Sequence, residues 1–460
     1  MKKKLLFILL VLFLFFVISC GNKYEIVEKE LKGSKIMIIV PDNWNHKIIY
    51  YAHGYRAEDT PLHVDIDMDN SFYSKKVDMG WMIAATSYRR NGIIINDGIK
   101  DIHFLRDYIH QNYENIEKEY LIGSSMGGLI ATLMAENDEY LDGVIANGAA
   151  LQLDRENQLK YTPKVPLILL YNNNEKDVAD EYLKKSKKSS LKPLRWYVKR
   201  RGHCRISKKE MGIAFSGLKN FENEKNDKNI TQPVPIRKSV SKIKNNTIIS
   251  GIKKINKGFN NADTQVVKQD LKNIGLKKGE YFNLICSDKK YPVYWGDHYN
   301  DVPIGDFVAF INMNGYLKIA RNYADFLAKT GLKESDIIKI SKMNNQPEKP
   351  DMEKFQKALK YNNEANEYLL NWNGEVAINL ANKAIELYPD FHWFKLKLVE
   401  GYLLINKYDQ ALKTYDKYKD VELHTGEKFK TELIKQINDI KKEGGKSSNF
   451  DKFIEDIKEL

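Results

Sequence analysis

The sequence predicts a multidomain chain: a mostly parallel α/β domain with helices on both faces of its sheet, then a small β-rich domain, then an all-α region. Three observations carry this. From Tyr24 to about Phe221, short apolar β-branched runs alternate with helical periodicity, the pattern of βαβ units. A polar stretch bearing Pro233 and Pro235 interrupts that alternation and leads into short strands separated by turn residues. From Asp351 onward the apolar period is helical. A length of 460 residues agrees, because it exceeds what one core organises.

The N-terminus, 1–19, reads as a signal peptide. Lys2, Lys3 and Lys4 precede an apolar run from Leu5 to Ile18, too short to span a bilayer comfortably. It ends in Val17-Ile18-Ser19-Cys20-Gly21, which resembles a bacterial lipobox. That resemblance implies lipid on Cys20, hence a membrane anchor, an extracytoplasmic place in the cell envelope, and no transmembrane helix.

The α/β domain is expected over 20–221. Its strands are expected at Lys35–Val40, Lys47–Ala52, Trp81–Thr86, Tyr120–Ile122, Gly143–Ala146, Leu167–Tyr171 and Leu194–Val198. A helix over Ile99–Tyr113 with Asp97 as N-cap lies among them, with Ile102, Leu105 and Ile109 on one face. Gly123-Ser124-Ser125-Met126-Gly127 follows a strand and opens a helix, the context a G-x-S-x-G nucleophile elbow requires. Side chains at 123 and 127 would collide with neighbouring backbone, so glycine is needed there, and Ser125 becomes the candidate nucleophile. The chain order continues Ser, acid, His. Asp177 is the chosen acid, after the strand ending at Tyr171, with Asp180 as the alternative. His203 follows the last strand in a glycine-containing turn and is the candidate base. His53-Gly54-Tyr55, at the end of an earlier strand, resembles the His-Gly segment after the third strand of many α/β-hydrolases, and that resemblance implies an oxyanion hole made by the backbone amides of Tyr55 and Met126. His53 itself is read as structural.

These segments, with Ala84-Ala85-Thr86-Ser87-Tyr88-Arg89 and Asp142-Gly143-Val144, resemble secreted esterase- and peptidase-like members of the α/β-hydrolase superfamily. The resemblance covers nearly all of 24–221. It implies a Ser-His-Asp hydrolase acting on an ester or peptide substrate, with esters favoured. Ser124 departs from the bulkier residue many relatives carry. Few residues separate Ala146 from Leu167, leaving little room for a lid. Arg89 and Arg90 are candidates to hold a substrate carboxylate, or a plain surface turn. Asp65-Ile66-Asp67-Met68-Asp69 begins like a calcium loop but lacks Gly at the sixth position and has Lys76 at the twelfth. No metal and no cofactor are expected.

A linker is expected at 222–245 and the β-domain at 246–342. Gly258-Phe259-Asn260-Asn261-Ala262-Asp263, Asp301-Val302-Pro303-Ile304-Gly305 and Ile311–Asn322 resemble the C-terminal domain of the S-adenosylmethionine hydroxide adenosyltransferase family. The family's N-terminal domain has no counterpart, so a packing or partner-binding module is expected rather than adenosyl chemistry. After a linker at 343–353, helical repeats are expected at 354–440. Tyr368 and Tyr402, like Ala377 and Ala411, stand 34 residues apart, and Ala384–Pro389 resembles the end of a tetratricopeptide repeat. Such repeats imply a protein partner. A tail helix at 441–460 follows Gly444-Gly445.

Net charge is +12, with lysines spread along the whole chain. No stretch interleaves clustered basic residues with aromatics, so no nucleic-acid partner is expected. Three cysteines without CxxC spacing exclude a disulfide framework. The competing reading is a catalytically weak hydrolase-fold scaffold, suggested by the two accessory regions.

Overall fold

The computed structural model describes residues 23–56, 61–64, 66, 68, 72–154, 158–256, 260–424, 426–442 and 447–459. The expected signal peptide and Cys20 lie outside the described residues. So do Asp65, Asp67 and Asp69, Gly258 and Phe259, and Gly444-Gly445. No helix among the described residues is long and apolar enough to cross a membrane. The chain divides into two compact units, Met1–Gln232 and Pro233–Leu460.

The first unit is built on β1 (Tyr24–Leu31), β2 (Ser34–Pro41), β3 (Lys47–Ala52), α1 (Phe72–Asp78), β4 (Met82–Thr86), α2 (Ile95–Asn112), β5 (Lys118–Ser124) and α3 (Met126–Asn137). It continues with β6 (Gly143–Asn147), β7 (Leu167–Asn172), α4 (Lys176–Lys185), β8 (Leu194–Val198), α5 (Lys208–Lys219) and β9 (Asp227–Asn229). The nine strands lie in the order β1-β2-β4-β3-β5-β6-β7-β8-β9. From β4 through β9 all pairings are parallel, while β1–β2 and β2–β4 are antiparallel.

Successive strand residues point to opposite faces, and here both faces are covered. Ile38, Ile48, Leu121, Val144 and Leu169 pack with α2 and α3 through Leu105, Leu129 and Leu133. Their chain neighbours Ile39, Ile49, Ile122, Ile145 and Leu170 pack on the other side with Phe72 of α1 and Phe215 of α5. Burial on both faces is why these strands read as unbroken apolar runs. β5 is the middle strand, so its C-terminal end opens at the centre of the sheet edge.

Two expectations are corrected and one strand is added. The stretch 222–245 is not a plain linker: β9 adds to the first sheet, Trp196 Nε1 donates to Lys225 O at 3.0 Å, and Ile230 is buried. Helix α2 begins at Ile95 with Ile94 as N-cap, and Asp97 lies in its first turn, paired with Arg90. β1 is the added strand; it is mostly exposed and so carries no apolar alternation.

The second unit begins with β10 (Lys242–Lys244), β11 (Thr247–Asn256), β12 (Asn261–Val267), α6 (Lys268–Asn273), β13 (Tyr281–Cys286), β14 (Lys289–Trp295), β15 (Phe307–Ile311), β16 (Tyr316–Arg321), α7 (Phe326–Thr330) and β17 (Ile337–Lys342). β17 pairs with both β13 and β11, so the sheet closes in a barrel-like way. Helices follow: α8 (Met352–Leu370), α9 (Gly374–Leu387), α10 (Trp393–Leu404), α11 (Tyr408–Tyr418), α12 (Phe429–Lys442) and α13 (Ser448–Glu459). Ala377 and Ala411, the repeat-spaced pair, are both fully buried.

Sheet and helices are joined within this unit. Arg321 Nη2 donates to His424 O at 2.9 Å, and Lys329 pairs with Glu422 at 2.7 Å. In the expected linker at 343–353, the Gln346 side chain clasps both backbone groups of Tyr281. The tail helix is no appendage, since Phe450, Phe453 and Ile457 of α13 are buried with Leu403, Ala411 and Tyr415.

Candidate active site

The turn from β5 into α3 holds Ser125 at φ 58° and ψ −120°. A non-glycine residue there is strained by about 1–3 kcal/mol, which the surroundings must offset. They do so through the backbone. Ser125 N donates to Asn147 O at 2.9 Å, and Ser125 O accepts from Ala150 N at 3.0 Å. A Cβ on Gly123 would lie 2.0 Å from Gly127 O, and one on Gly127 would lie 2.1 Å from Ala52 O. Only glycine permits so sharp a reversal against β3. Ser125 thereby caps the N-terminus of α3, where unpaired amides and the helix dipole favour negative charge.

His203 reaches the serine: its Nε2 is 2.7 Å from Ser125 Oγ. Its Nδ1 is 2.6 Å from Glu175 Oε1. The carboxylate on the histidine is therefore Glu175, not Asp177. A 3-10 turn over Asn173–Glu175 precedes α4, which leaves residue 175 at the rim of the sheet. Asp177 comes two residues later, in the first turn of α4, where it is exposed. Asp180, the alternative, is occupied by Arg195 Nη1 at 2.6 Å. A sequence signal for Glu175 existed. It stands three residues after Asn172, the spacing of a capping box, and its Oε2 accepts from Asn172 N at 2.6 Å.

The histidine loop is held by asparagines that sequence reasoning passed over. Fully buried Asn172 accepts from Arg205 N at 2.6 Å and donates to Arg205 O at 3.3 Å. Asn174 Oδ1 accepts from Gly202 N at 2.8 Å. Arg200 grips Glu210 with two bonds of 3.0 and 3.1 Å, tying the loop to α5. Glu175 Oε1 also accepts from Cys204 N at 2.9 Å. Burial works against a charged His203, but hydrogen bonds with Cys204 and Glu175 raise its pKa above the usual 6.5. Burial pushes the Cys204 thiol up.

Gly54 runs against Ser125, since a Cβ there would lie 3.1 Å from Ser125 Cβ. That brings the Gly54-Tyr55 segment to the same rim as Met126, the first residue of α3. His53 is buried, with Nδ1 2.7 Å from Gly54 O, Nε2 3.0 Å from Ser87 O, and its ring 4.1 Å from that of Tyr88. Arg89 pairs with Asp101 at 2.5 Å and Arg90 with Asp97 at 2.7 Å, so both guanidiniums are engaged within the fold. Among the described residues, Glu175, His203 and Cys204 are close enough to share a metal ion. Together, a serine hydroxyl, an imidazole and a carboxylate in sequential hydrogen bonds can carry out nucleophilic attack with proton transfer.

No protein-family model matches the chain, and no curated protein sequence matches it. Solved structures resemble part of it. Pyrococcus horikoshii acylaminoacyl peptidase is similar over 45% of this chain and 43% of its own, at 13% identity and TM-score 0.36. A Pyrococcus furiosus esterase is similar over 43% of this chain and 89% of its own, at 16% identity and TM-score 0.32. A dienelactone hydrolase of Anabaena variabilis is similar over 44% of this chain and 98% of its own, at 15% identity and TM-score 0.33. The chain spans less than half the length of the acylaminoacyl peptidase.

Proposed function

We propose that this chain is a serine hydrolase that cleaves carboxyl esters, anchored to the outside of a bacterial membrane through lipid on Cys20. The observation that carries the catalytic part is the chain of hydrogen bonds from Ser125 to His203 to Glu175, 2.7 and 2.6 Å long. Ser125 Oγ attacks the carbonyl while His203 Nε2 takes its proton. Glu175 holds the ring orientation and stabilises the imidazolium. The oxyanion forms beside the Tyr55 and Met126 amides. His203 then protonates the leaving alcohol, and water releases the acyl group by the same steps in reverse. The triad is Ser-His-Glu.

Between β6 and β7, Leu151, Leu159 and Val165 are buried in the core. A segment so packed supports an open site, which suits a bulky ester better than a small enclosed one. Peptide bonds are the runner-up substrate for the same atoms. The helical region is proposed to bind a protein partner, and no nucleic-acid partner is proposed.

A fluorophosphonate probe is expected to label the protein and to fail on Ser125→Ala. Persistent labelling of the variant would reject this serine. A panel of esters and short peptides then identifies the bond cleaved, and labelling without turnover of any panel member would favour the scaffold reading. Metabolic labelling with a fatty-acid analogue is expected to mark the wild type and miss Cys20→Ser.

A further inference from the structure

We propose that Cys204 and His203, beside Ser125, form a binding site for a thiophilic divalent cation of the zinc type, and that its binding switches the nucleophile off. Only the switching rests on the hydrolase reading; the metal site stands on geometry.

Cys204 Sγ lies 3.7 Å from His203 Nε2, and Ser125 Oγ lies 2.7 Å from the same nitrogen. Zinc bonds of about 2.3 Å to sulfur and about 2.05 Å to nitrogen, at a tetrahedral angle, put the two donors about 3.6 Å apart. The sulfur and the nitrogen therefore already stand at the separation a shared ion requires. Thiolate and imidazole select zinc-like ions over magnesium or calcium, which prefer oxygen.

Glu175 belongs to the same cluster, but its oxygens are committed. Oε1 faces His203 Nδ1 and Cys204 N, and Oε2 accepts from Asn172 N. It therefore acts as the outer partner of the histidine, fixing the ring so that Nε2 presents its lone pair. A carboxylate behind a ligating histidine is the usual support of such sites. Water completes the coordination: Ser125 Oγ, 2.7 Å from Nε2, is nearer than the about 3.3 Å that two ligands of one zinc keep, so the ion displaces the serine hydroxyl from that lone pair.

On binding, the Cys204 thiol loses its proton to solvent and the thiolate takes the metal, while the Nε2 lone pair forms the second bond. That lone pair is the one that must accept the Ser125 proton, so a metal-bound His203 cannot act as base. Nothing in ester cleavage uses the thiol. It sits beside the base with Sγ 3.3 Å from Asn147 O.

The test uses the full chain with Cys20→Ser, which removes the N-terminal thiol, after stripping metals. Titration with cobalt(II) is expected to give a thiolate-to-cobalt charge-transfer absorption at one ion per chain, displaced by zinc. The absorption is expected to vanish in Cys204→Ala and in His203→Ala, and Glu175→Gln is expected to weaken zinc binding about 10–100-fold. Cys204→Ser, which preserves size, serves if the alanine variant does not fold. Zinc is also expected to slow fluorophosphonate labelling of Ser125 in the parent chain and not in Cys204→Ala. Absence of the absorption in the parent, or its survival in Cys204→Ala, overturns the site. If the metal-free parent is not labelled at all, the hydrolase reading fails, while the cobalt spectrum still decides the metal site.

Discussion

Glu175 and Asp177 are two residues apart, yet only one touches His203. An imidazolium formed during proton transfer needs a fixed carboxylate at Nδ1, and replacing that carboxylate by an amide leaves the ring in the wrong tautomer. Glu175→Gln is therefore expected to lower kcat by about 10³–10⁴-fold. Asp177→Asn, at an exposed position, is expected to stay within about twofold of wild type. Steady-state kinetics on the best panel ester separates the two, and the reverse ranking would remove Glu175 from the triad. Gly148 is a second residue-scale test. It has φ +52°, and a Cβ there would lie 2.5 Å from Glu175 Oε1 and 2.6 Å from Cys204 Sγ. Gly148→Ala must push the acid, the thiol or both. A displacement near 1 Å costs about 10²-fold in rate, so kcat is expected to fall by that order with KM little changed. Wild-type kcat in this variant would mean that the acid tolerates movement.

At the scale of elements, the seam between the closed sheet and the helices of the second unit is the place to probe. Arg321 of β16 donates to Gly305 O and His424 O, and the His424 ring lies 3.9 Å from that of Phe391. Burial, then the positive charge of His392, Arg321 and Lys395, lowers the His424 pKa from 6.5 to about 4. The unfolded chain thus takes up this proton first as pH falls. Stability is fully present above about pH 6.5, declines between 6.5 and 4, and loses nothing more from this group below that, a loss capped at about 3 kcal/mol. His424→Phe keeps an aromatic ring against Phe391 and removes the titration. Urea midpoints followed by circular dichroism at pH 7 and pH 4.5 are expected to differ less in the variant than in the wild type. Equal differences would show that His424 is not the group responsible.

For the whole molecule, the boundary between compact units falls at Gln232, not at 221 where the alternation of strands and helices ends. Beyond 221 the chain still supplies β9, buried Ile230, and Gln232, whose N donates to Glu210 at 2.6 Å and whose O accepts from Arg200 at 2.8 Å. Those last bonds brace the loop that carries His203. A chain ending at Gln232 is expected to fold and keep its ester rate within a few-fold. One ending at Phe221 uncovers fully buried Trp196 and is expected to aggregate or to lose several degrees of Tm, because a large core side chain is exposed. Differential scanning fluorimetry and the ester assay on both chains check this. A cut at Asn345 is a poor one, because it parts Lys329 from Glu422 and Arg321 from His424.

By itself the sequence determined the inner strands, the sharp turn at Ser125 and the place of His203 in the turn after β8. Local physics decides each of these. The central parts of β3 to β7 are buried on both faces and so must be apolar on both. Gly123 and Gly127 are forced by close backbone approach. Ser125 and His203 each sit where a strand gives way to a turn. The outer strands β1 and β9 are half in water and need no apolar pattern, so nothing in their composition announced them. The acid was decided only in three dimensions. Glu175, Asp177 and Asp180 share one short segment, and which of them meets His203 depends on where β7 stops, where α4 starts and which carboxylate the Asn172 amide captures. Such hydrogen-bond competition among neighbours leaves no periodic trace in sequence. The same holds for the thiol of Cys204, which comes beside His203 as a second donor only once the loop is folded against Gly148.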